Sequence, residues 1–165
     1  MWKDHKQGST YTAQSVQRHP KFTLVNGRVT TQFNYDVALI RLNKPVRLGK
    51  QASTIRLTSA KARPAIGDKL KIAGFGITDW GEDIQKASLR MKRGQLLSRK
   101  ECGKKLLATI TSQEFCVANS PDNGVSGSPA FIGNILYGIM SWGSTVFTDL
   151  AAPEINSFIM AHVRT

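Results

Sequence analysis

Residues 130–140, AFIGNILYGIM, place two short apolar runs on either side of Gly133-Asn134. Because glycine and asparagine tolerate the positive φ that a two-residue turn needs, this stretch predicts a tight β-hairpin. Residues 35–42 are mostly apolar and are followed by Asn43-Lys44-Pro45, and residues 69–76 alternate polar and apolar side chains, so both are typical of strands. Further short strands are suggested by Val46, Ile55 and Leu57. Regular short strands between Gly- and Pro-containing turns favour an all-β sandwich or barrel.

One helix is expected, at the C-terminal end. Pro153 suits a first helical position. The apolar residues that follow recur at helical spacing and predict a stripe that docks on the β-core: Ile155, Phe158, Ile159 and Val163. The polar stretch 57–67, which contains Pro64, is the best candidate for a linker between two halves of the chain.

Composition excludes several classes of protein. The chain has 165 residues, 23 Lys and Arg, 11 Asp and Glu, and a formal net charge of +12. Its length suits one domain or two very small ones, no transmembrane segment is expected without a run of about 18 apolar residues, and the polar start does not resemble a secretory signal peptide. Two cysteines form one disulfide at most, which excludes a four-Cys zinc site, and no metal or cofactor is expected. The charge predicts attraction to polyanions.

The most specific motif is Gly124-Val125-Ser126-Gly127-Ser128-Pro129. A serine between glycines can occupy a tight turn with an exposed hydroxyl, and successive backbone N–H groups there can point into one cavity and stabilise an oxyanion. Gly-Ser turns are common, so the default interpretation of the motif on its own is a structural turn.

Four blocks in this order resemble the trypsin/chymotrypsin-like serine protease family (peptidase S1). They are residues 36–42 (DVALIRL), 74–78 (GFGIT), 124–129 (GVSGSP) and 141–143 (SWG), and the resemblance runs from about residue 11 to residue 163. It implies a chymotrypsin-like double antiparallel β-barrel with a C-terminal α-helix. Residues 1–62 would form the remainder of an incomplete first barrel, and residues 63–165 the second barrel and the helix.

The resemblance also implies roles for individual residues. Asp36 would be the triad acid, Ser126 the nucleophile, and Gly124 and Ser126 the sources of the oxyanion-hole amides. Ser141, Trp142 and Gly143 would form the edge that pairs with the substrate backbone, and Ser120 would lie near the base of the specificity pocket. The spacing of Cys102 and Cys116 matches a family disulfide, which implies an oxidising compartment; two unpaired buried thiols are the alternative. A second family disulfide is absent, and Leu70 and Ile132 stand at its places.

The largest departure from the family concerns the general base. Serine attack needs an imidazole to accept the hydroxyl proton, and the family places that His farther upstream of the acid than the 35 residues that precede Asp36 here. The three histidines do not replace it: His5 has no matching context, His19 belongs to a surface turn, and His162 ends the terminal helix. Each is expected to be solvated rather than catalytic, and the chain is read as N-terminally truncated.

Two further departures concern the oxyanion hole and the pocket. Val125 stands where the family has an Asp that pairs with the N-terminal amine released on activation. An apolar residue fits there, because a buried Asp without its amine is costly. After residues 141–143 the family's Cys-containing pocket loop is largely missing, and Asp122 lies near the place of its partner Cys.

Residues 86–105 contain eight basic residues and a single acidic residue, Glu101. The eight basic residues are Lys86, Arg90, Lys92, Arg93, Arg99, Lys100, Lys104 and Lys105. Such a cluster is either a solvated face or a site for a sulfated glycan, an acidic protein or an anionic membrane surface. Nucleic acid is not expected as a partner, because aromatic residues are not interleaved with the cluster.

Three hypotheses follow. In the first, the chain is a catalytically inactive serine protease homologue that acts by binding a protein or a polyanion. In the second, it is the C-terminal portion of an active trypsin-like endopeptidase whose His lies upstream. In the third, it is a polyanion-binding protein that uses the protease fold. The first is favoured, with the third as its mode of action. A secreted, extracellular location is implied by the family. Open strand edges in the first barrel predict that the chain alone is poorly soluble or depends on a partner.

Overall fold

The computed structural model describes residues 9–26, 31–75, 89–120 and 126–163. Eleven strands and two helices lie in these ranges. They are β1 (Ala13–Arg18), β2 (Thr23–Asn26), β3 (Thr31–Asn34), β4 (Ala38–Leu42), β5 (Arg56–Leu57), β6 (Lys69–Gly74), β7 (Arg90–Leu97), α1 (Arg99–Leu106), β8 (Glu114–Ala118), β9 (Pro129–Ile132), β10 (Ile135–Trp142), β11 (Val146–Asp149) and α2 (Pro153–His162).

Six strands close into a barrel. Their order is β11-β8-β7-β6-β9-β10, and β10 pairs with β11 to complete the circle, while β5 adds to β10 in parallel. The predicted hairpin is present as β9 and β10, with Gly133 at φ 59° in the turn. Every strand of the closed set therefore has a hydrogen-bonded neighbour on each side, so the barrel has no free edge strand.

The barrel interior is filled by large apolar side chains. Leu70 and Ile72 are fully buried, and the rings of Phe115 and Phe147 stack with centroids 5.4 Å apart. Ile132 packs against the same cluster as Leu70. The two residues that stand at the places of the absent family disulfide therefore belong to one apolar cluster. Burial of one such side chain stabilises the fold by about 1.5–3 kcal/mol.

The C-terminal helix forms as predicted, with Pro153 in its first turn. Ile155, Phe158 and Ile159 are buried against Leu150 and Ala152. The predicted stripe was wrong at its last member, because the helix ends at His162, and Val163 lies beyond it with extended backbone and 48% of its surface exposed.

The N-terminal strands are arranged differently from the barrel. β1 pairs with β4, and β2 pairs with β3, as two separate two-stranded sheets. Every residue of β1 is exposed, and the directly paired Val16 and Ile40 are 61% and 62% exposed. That residues 1–62 form the remainder of an incomplete first barrel stays a prediction.

Several strand predictions need correction. The strand expected over residues 35–42 begins only at Ala38, because Tyr35 has a φ of 51° and its carbonyl accepts a bond from the Val37 N–H, which makes a tight turn. β6 ends at Gly74, and residue 76 lies outside the described ranges. Val46 and Ile55 lie in irregular backbone, whereas Leu57 belongs to β5.

A second helix, α1, was not predicted. Ser98 caps it by accepting from the Glu101 N–H, and the Glu101 carboxylate accepts in return from the Ser98 N–H. This capping box has the sequence signature Ser-x-x-Glu, which could have predicted the start of α1. The helix carries Cys102, which is bonded to Cys116 of β8 with the two Cα atoms 6.1 Å apart. The disulfide implied by the family resemblance is therefore present.

Candidate active site

Asp36 lies between the tight turn at Tyr35 and the start of β4. Its carboxylate oxygen Oδ2 accepts a hydrogen bond of 2.7 Å from the Ser141 hydroxyl, and its backbone carbonyl accepts one of 2.7 Å from the Thr148 hydroxyl. The next residue, Val37, is buried in the cluster that holds α2. Asp36 is therefore fixed by the closed barrel at two points, its carboxylate by a side chain of β10 and its backbone by a side chain of β11.

A bulge in β10 accounts for the orientation of Ser141. In the pairing of β10 with β11, Met140 lies opposite Phe147 and Trp142 lies opposite Val146, so Ser141 is the extra residue. An extra residue in one strand re-aims a side chain and increases the local twist. Ser141 is 9% exposed, and its hydroxyl is directed at Asp36 rather than outward.

Ser126 occupies an exposed turn that is tied to the same strand. Gly127 has a φ of 81°, a conformation that glycine adopts without steric cost. Its N–H donates to the Met140 carbonyl at 2.9 Å, and the Met140 N–H donates to the Ser128 carbonyl at 2.9 Å. The serine and the aspartate are thus anchored by consecutive residues of β10, Met140 and Ser141, although Ser126 and Asp36 are 90 residues apart in sequence.

An open groove of about 440 Å³ borders the Ser126 turn. It is lined by Ala73, Phe75, Leu89, Ser126, Gly127, Ser128 and Pro129. Phe75 and Leu89 are 40% and 42% exposed, so the groove offers apolar surface beside a serine hydroxyl. Gly124, a predicted oxyanion-hole residue, and Val125 lie outside the described residues, as do Asp122 and Lys86.

Trp142 and Gly143 follow the bulge at the end of β10. The indole is only 5% exposed, and its Nε1–H donates to the Glu114 carboxylate at 2.7 Å. Glu114 is itself 2% exposed and accepts from the Thr111 N–H and hydroxyl, each at 2.8 Å. The tryptophan is therefore held in the interior beside the disulfide. This contact could not be predicted from the sequence, because Glu114 and Trp142 are 28 residues apart.

Ser120 lies in the connection after β8. Its hydroxyl donates to the Ser144 carbonyl, and the residue is 8% exposed. The bond brings the segment after β8 against the turn between β10 and β11. The Ser120 hydroxyl is thus bonded to backbone. The position of Ser120 near the base of a specificity pocket stays a prediction.

The two histidines of the described ranges are both engaged elsewhere. His19 was expected in a surface turn with a solvated ring, and the second part is wrong: the residue is 5% exposed. Its ring stacks on Tyr35 at 4.8 Å and meets Phe158 edge-on, and Nδ1 accepts from the Lys21 N–H. Aromatic packing against α2 explains its burial.

His162 is exposed at the end of α2. Its Nε2 lies 2.9 Å from the Gln17 amide nitrogen, and its Nδ1 lies 2.6 Å from the Phe158 carbonyl. Within the described residues, the recorded partner of the Asp36 carboxylate is Ser141 and not an imidazole. His5 lies outside these residues.

Ion pairs tie several charges into the fold. The buried Asp149 accepts from Arg63 and lies 3.9 Å from Arg99 Nη2. Arg99 also donates to the Glu114 and Ser112 carbonyls.

On the surface, Lys21 Nζ lies 2.6 Å from the Glu154 carboxylate, and this hydrogen bond holds the pKa of Glu154 below its ordinary value. The hydrogen bonds from Ser98 lower the pKa of Glu101.

The predicted basic cluster is divided between two elements. Arg90, Lys92 and Arg93 lie on β7, and Arg99, Lys100, Lys104 and Lys105 lie on α1. Across the described ranges, no group of three or more His, Cys, Asp or Glu residues is arranged to hold a metal ion. The two helices in those ranges are too short or too polar to cross a bilayer.

Comparison with known proteins gives consistent results. The family model of Trypsin matches residues 2–155. Trypsin iota of Drosophila melanogaster is 33% identical over 120 residues, which cover 67% of this chain and 45% of that protein. The chain thus spans about half the length of the curated relatives that it matches.

Solved structures share the fold. A mouse-brain serine protease, neuropsin, superposes with a TM-score of 0.76 at 22% identity, covering 92% of this chain and 70% of neuropsin. A scabies mite inactivated protease paralogue superposes with a TM-score of 0.73 at 20% identity, covering 91% and 67%. The fold is chymotrypsin-like, as predicted. With a family match over nearly the whole sequence, and with the closed barrel and the Asp36–Ser141 and Ser126 anchors on β10, the chain belongs to the trypsin-like serine protease family.

Proposed function

We propose that this chain acts by binding and does not hydrolyse peptide bonds on its own. The observation that carries the proposal is the engagement of the described imidazoles: those of His19 and His162 are committed to partners other than Asp36. An unassisted serine hydroxyl is a weak nucleophile, because it needs a neighbouring base to accept its proton.

The burial of His19 strengthens this proposal. Its ring is packed between Tyr35 and α2, so releasing it to reach a serine would break two aromatic contacts and open a buried surface. Aromatic pairs contribute about 0.5–1.5 kcal/mol each beyond their burial. Val125, in the place of the family's activation Asp, and the short segment after Gly143 point in the same direction.

The disulfide indicates where such a binding protein works. Disulfides form and persist in oxidising compartments, so the Cys102–Cys116 bond supports an extracellular location. The solved scabies mite relative, described as an inactivated protease paralogue, provides a precedent for a non-catalytic member of this fold. This precedent is an analogy at the level of the fold.

Covalent labelling of Ser126 tests the proposal. The chain and an active trypsin are incubated with a fluorophosphonate probe, and modified peptides are quantified by mass spectrometry. We expect no time-dependent labelling of Ser126, and no difference between the chain and its Ser126→Ala variant. Stoichiometric labelling of Ser126 that is lost in Asp36→Asn would contradict the proposal. A His5→Ala variant shows whether that imidazole supplies the base.

The second candidate is a portion of an active endopeptidase whose histidine lies in another segment. The Asp36–Ser141 hydrogen bond favours it, because that bond leaves an oriented carboxylate at the junction of the N-terminal strands and the barrel. Co-expression with a histidine-bearing upstream segment of a trypsin relative tests it. Peptide hydrolysis that requires both Ser126 and Asp36 would support this candidate, and its absence from a folded complex would support binding alone.

A further inference from the structure

Register places cationic side chains on one face of the barrel that the sequence does not bring together. In β6, Leu70 and Ile72 point into the core, so the alternate residues Lys69 and Lys71 point outward. Arg93 of β7 lies directly opposite Lys71. Directly paired residues of an antiparallel sheet share a face, so Lys69, Lys71 and Arg93 form one outward patch, called here the β6–β7 basic face.

The Lys71–Arg93 pair is unfavourable for folding. Side chains directly opposite each other have Cβ atoms about 4.5–5.5 Å apart, and like charges at this distance are destabilising. Within the described part of the chain, neither side chain forms an ion pair with a carboxylate. An anion bound over the pair would remove the repulsion.

The surroundings define the shape of the surface. Gln95 lies opposite Lys69 and adds an amide donor, and Phe131 of β9 lies beside Lys71. Successive outward residues on one strand are about 7 Å apart, so the cations form an open array on the barrel surface rather than a pocket. Arg99, by contrast, lies beside Asp149 and donates to backbone carbonyls, so we do not count it among the cations that could bind an anion.

We propose that the β6–β7 basic face binds a linear sulfated polysaccharide. Sulfate esters keep their charge at all physiological pH values, and their regular repeat along an extended chain suits an open array of regularly spaced cations. The disulfide supports an extracellular compartment, where such glycans are the abundant polyanions. Stacking of bases on exposed aromatic rings, which supports binding of single-stranded nucleic acid, has one candidate here, the partly buried Phe131. The assignment rests on the proposed binding role and names its ligand.

The test uses the full chain, a size-defined heparin oligosaccharide and isothermal titration calorimetry. The double variant Lys71→Gln/Arg93→Gln is compared with Lys100→Gln/Lys104→Gln, which removes the same charge from exposed positions on α1. We expect at least a tenfold rise in Kd for the first variant and less than a threefold rise for the second. By the counterion-release relation known for DNA, the slope of log Kd against log salt falls by about two for two lost contacts.

Stability supplies an independent check. Because Lys71 and Arg93 repel each other, their replacement leaves Tm unchanged or raises it by about 1–4 °C. A weaker binder that is equally or more stable supports a direct contact. Equal losses of affinity in both double variants, or unchanged binding in the first, would overturn the assignment. So would binding of desulfated heparin or of duplex DNA of the same length as tightly as the sulfated chain.

Failure here is distinguishable from failure of the proposed function. Labelling of Ser126 together with a heparin site on the β6–β7 basic face refutes the non-catalytic role and leaves the site intact. An unlabelled Ser126 with no heparin binding leaves the non-catalytic role and removes this ligand.

Discussion

The closed barrel and the N-terminal strands both contain apolar side chains, but they bury them to different degrees. In the barrel, Leu70 and Ile72 are fully buried. In the β1–β4 sheet, the apolar pair Val16 and Ile40 is more than 60% exposed. A two-stranded sheet is marginal in water on its own, whereas closure removes free edges. The comparison teaches that apolar strands become a core only when a second layer covers them.

The candidate site lies on the border between these two regions. Ser126 is fixed to the finished barrel through Gly127, and Asp36 leads into the exposed strand β4. The Ser141–Asp36 bond is one of the links between the two regions, together with the Thr148–Asp36 bond and the packing of His19 on α2. The candidate site therefore draws its residues from both regions.

The largest expected effect is on the barrel core. Leu70→Ala removes a fully buried side chain and should lower the free energy of unfolding by about 3–4 kcal/mol. Ile40→Ala, the matched change on the exposed β4, should alter it by about 0.5 kcal/mol or less. Urea denaturation of both variants measures the difference. Equal losses would show that Ile40 is covered in solution and that the two regions do not differ as described.

A smaller effect is expected at the buried carboxylate of the barrel region. Glu114→Ala leaves the Trp142 Nε1–H without its acceptor and should cost about 1–3 kcal/mol. The matched surface change is Glu154→Ala, which breaks an exposed ion pair with Lys21 and should cost much less.

A double-mutant cycle with Trp142→Phe isolates the Glu114–Trp142 hydrogen bond, read by chemical denaturation. If Glu114→Ala and the cycle's coupling energy are both near zero, Glu114 does not hold the indole in place.

The smallest effect concerns pH at the surface. The hydrogen bond from Lys21 lowers the pKa of Glu154 in the folded state, so the resulting stability is present above the ordinary pKa of 4.5 and is lost as the pH falls through the lowered value. Lys21→Met should raise the pKa of Glu154 toward 4.5, and NMR titration of its carboxyl carbon measures this.

Glu101 serves as the internal control in that titration, because hydrogen bonds from Ser98 are the main cause of its lowered pKa. A parallel rise for Glu101, or none for Glu154, would show that Lys21 does not act locally.

Local features of this fold could be predicted from the sequence, and long-range ones could not. Gly133-Asn134 and Pro153 carry their own turn and helix preferences, so the hairpin and α2 were accessible. Helix α1 was accessible too, through its Ser98–Glu101 box, but its many charged residues suggested only a solvated surface. The neighbours of Asp36, Glu114 and Lys71 depend on strand register and on a bulge, which alternation of polar and apolar residues does not specify.

The recognised family supplied part of what local patterns could not. It gave the Cys102–Cys116 pairing and the chymotrypsin-like fold. It did not indicate the burial of His19 or the inward tryptophan, because both depend on aromatic and carboxylate neighbours particular to this chain.

Native-state amide hydrogen exchange of the unmodified chain tests most directly whether the closed barrel is more stable than the β1–β4 sheet beside it. Amides of β6, β9 and β10 should exchange only through global unfolding, and those of β1 and β4 through local opening, at least about 100-fold faster. Protection of β1 and β4 equal to that of the barrel, in the monomeric chain without a partner, would contradict the account.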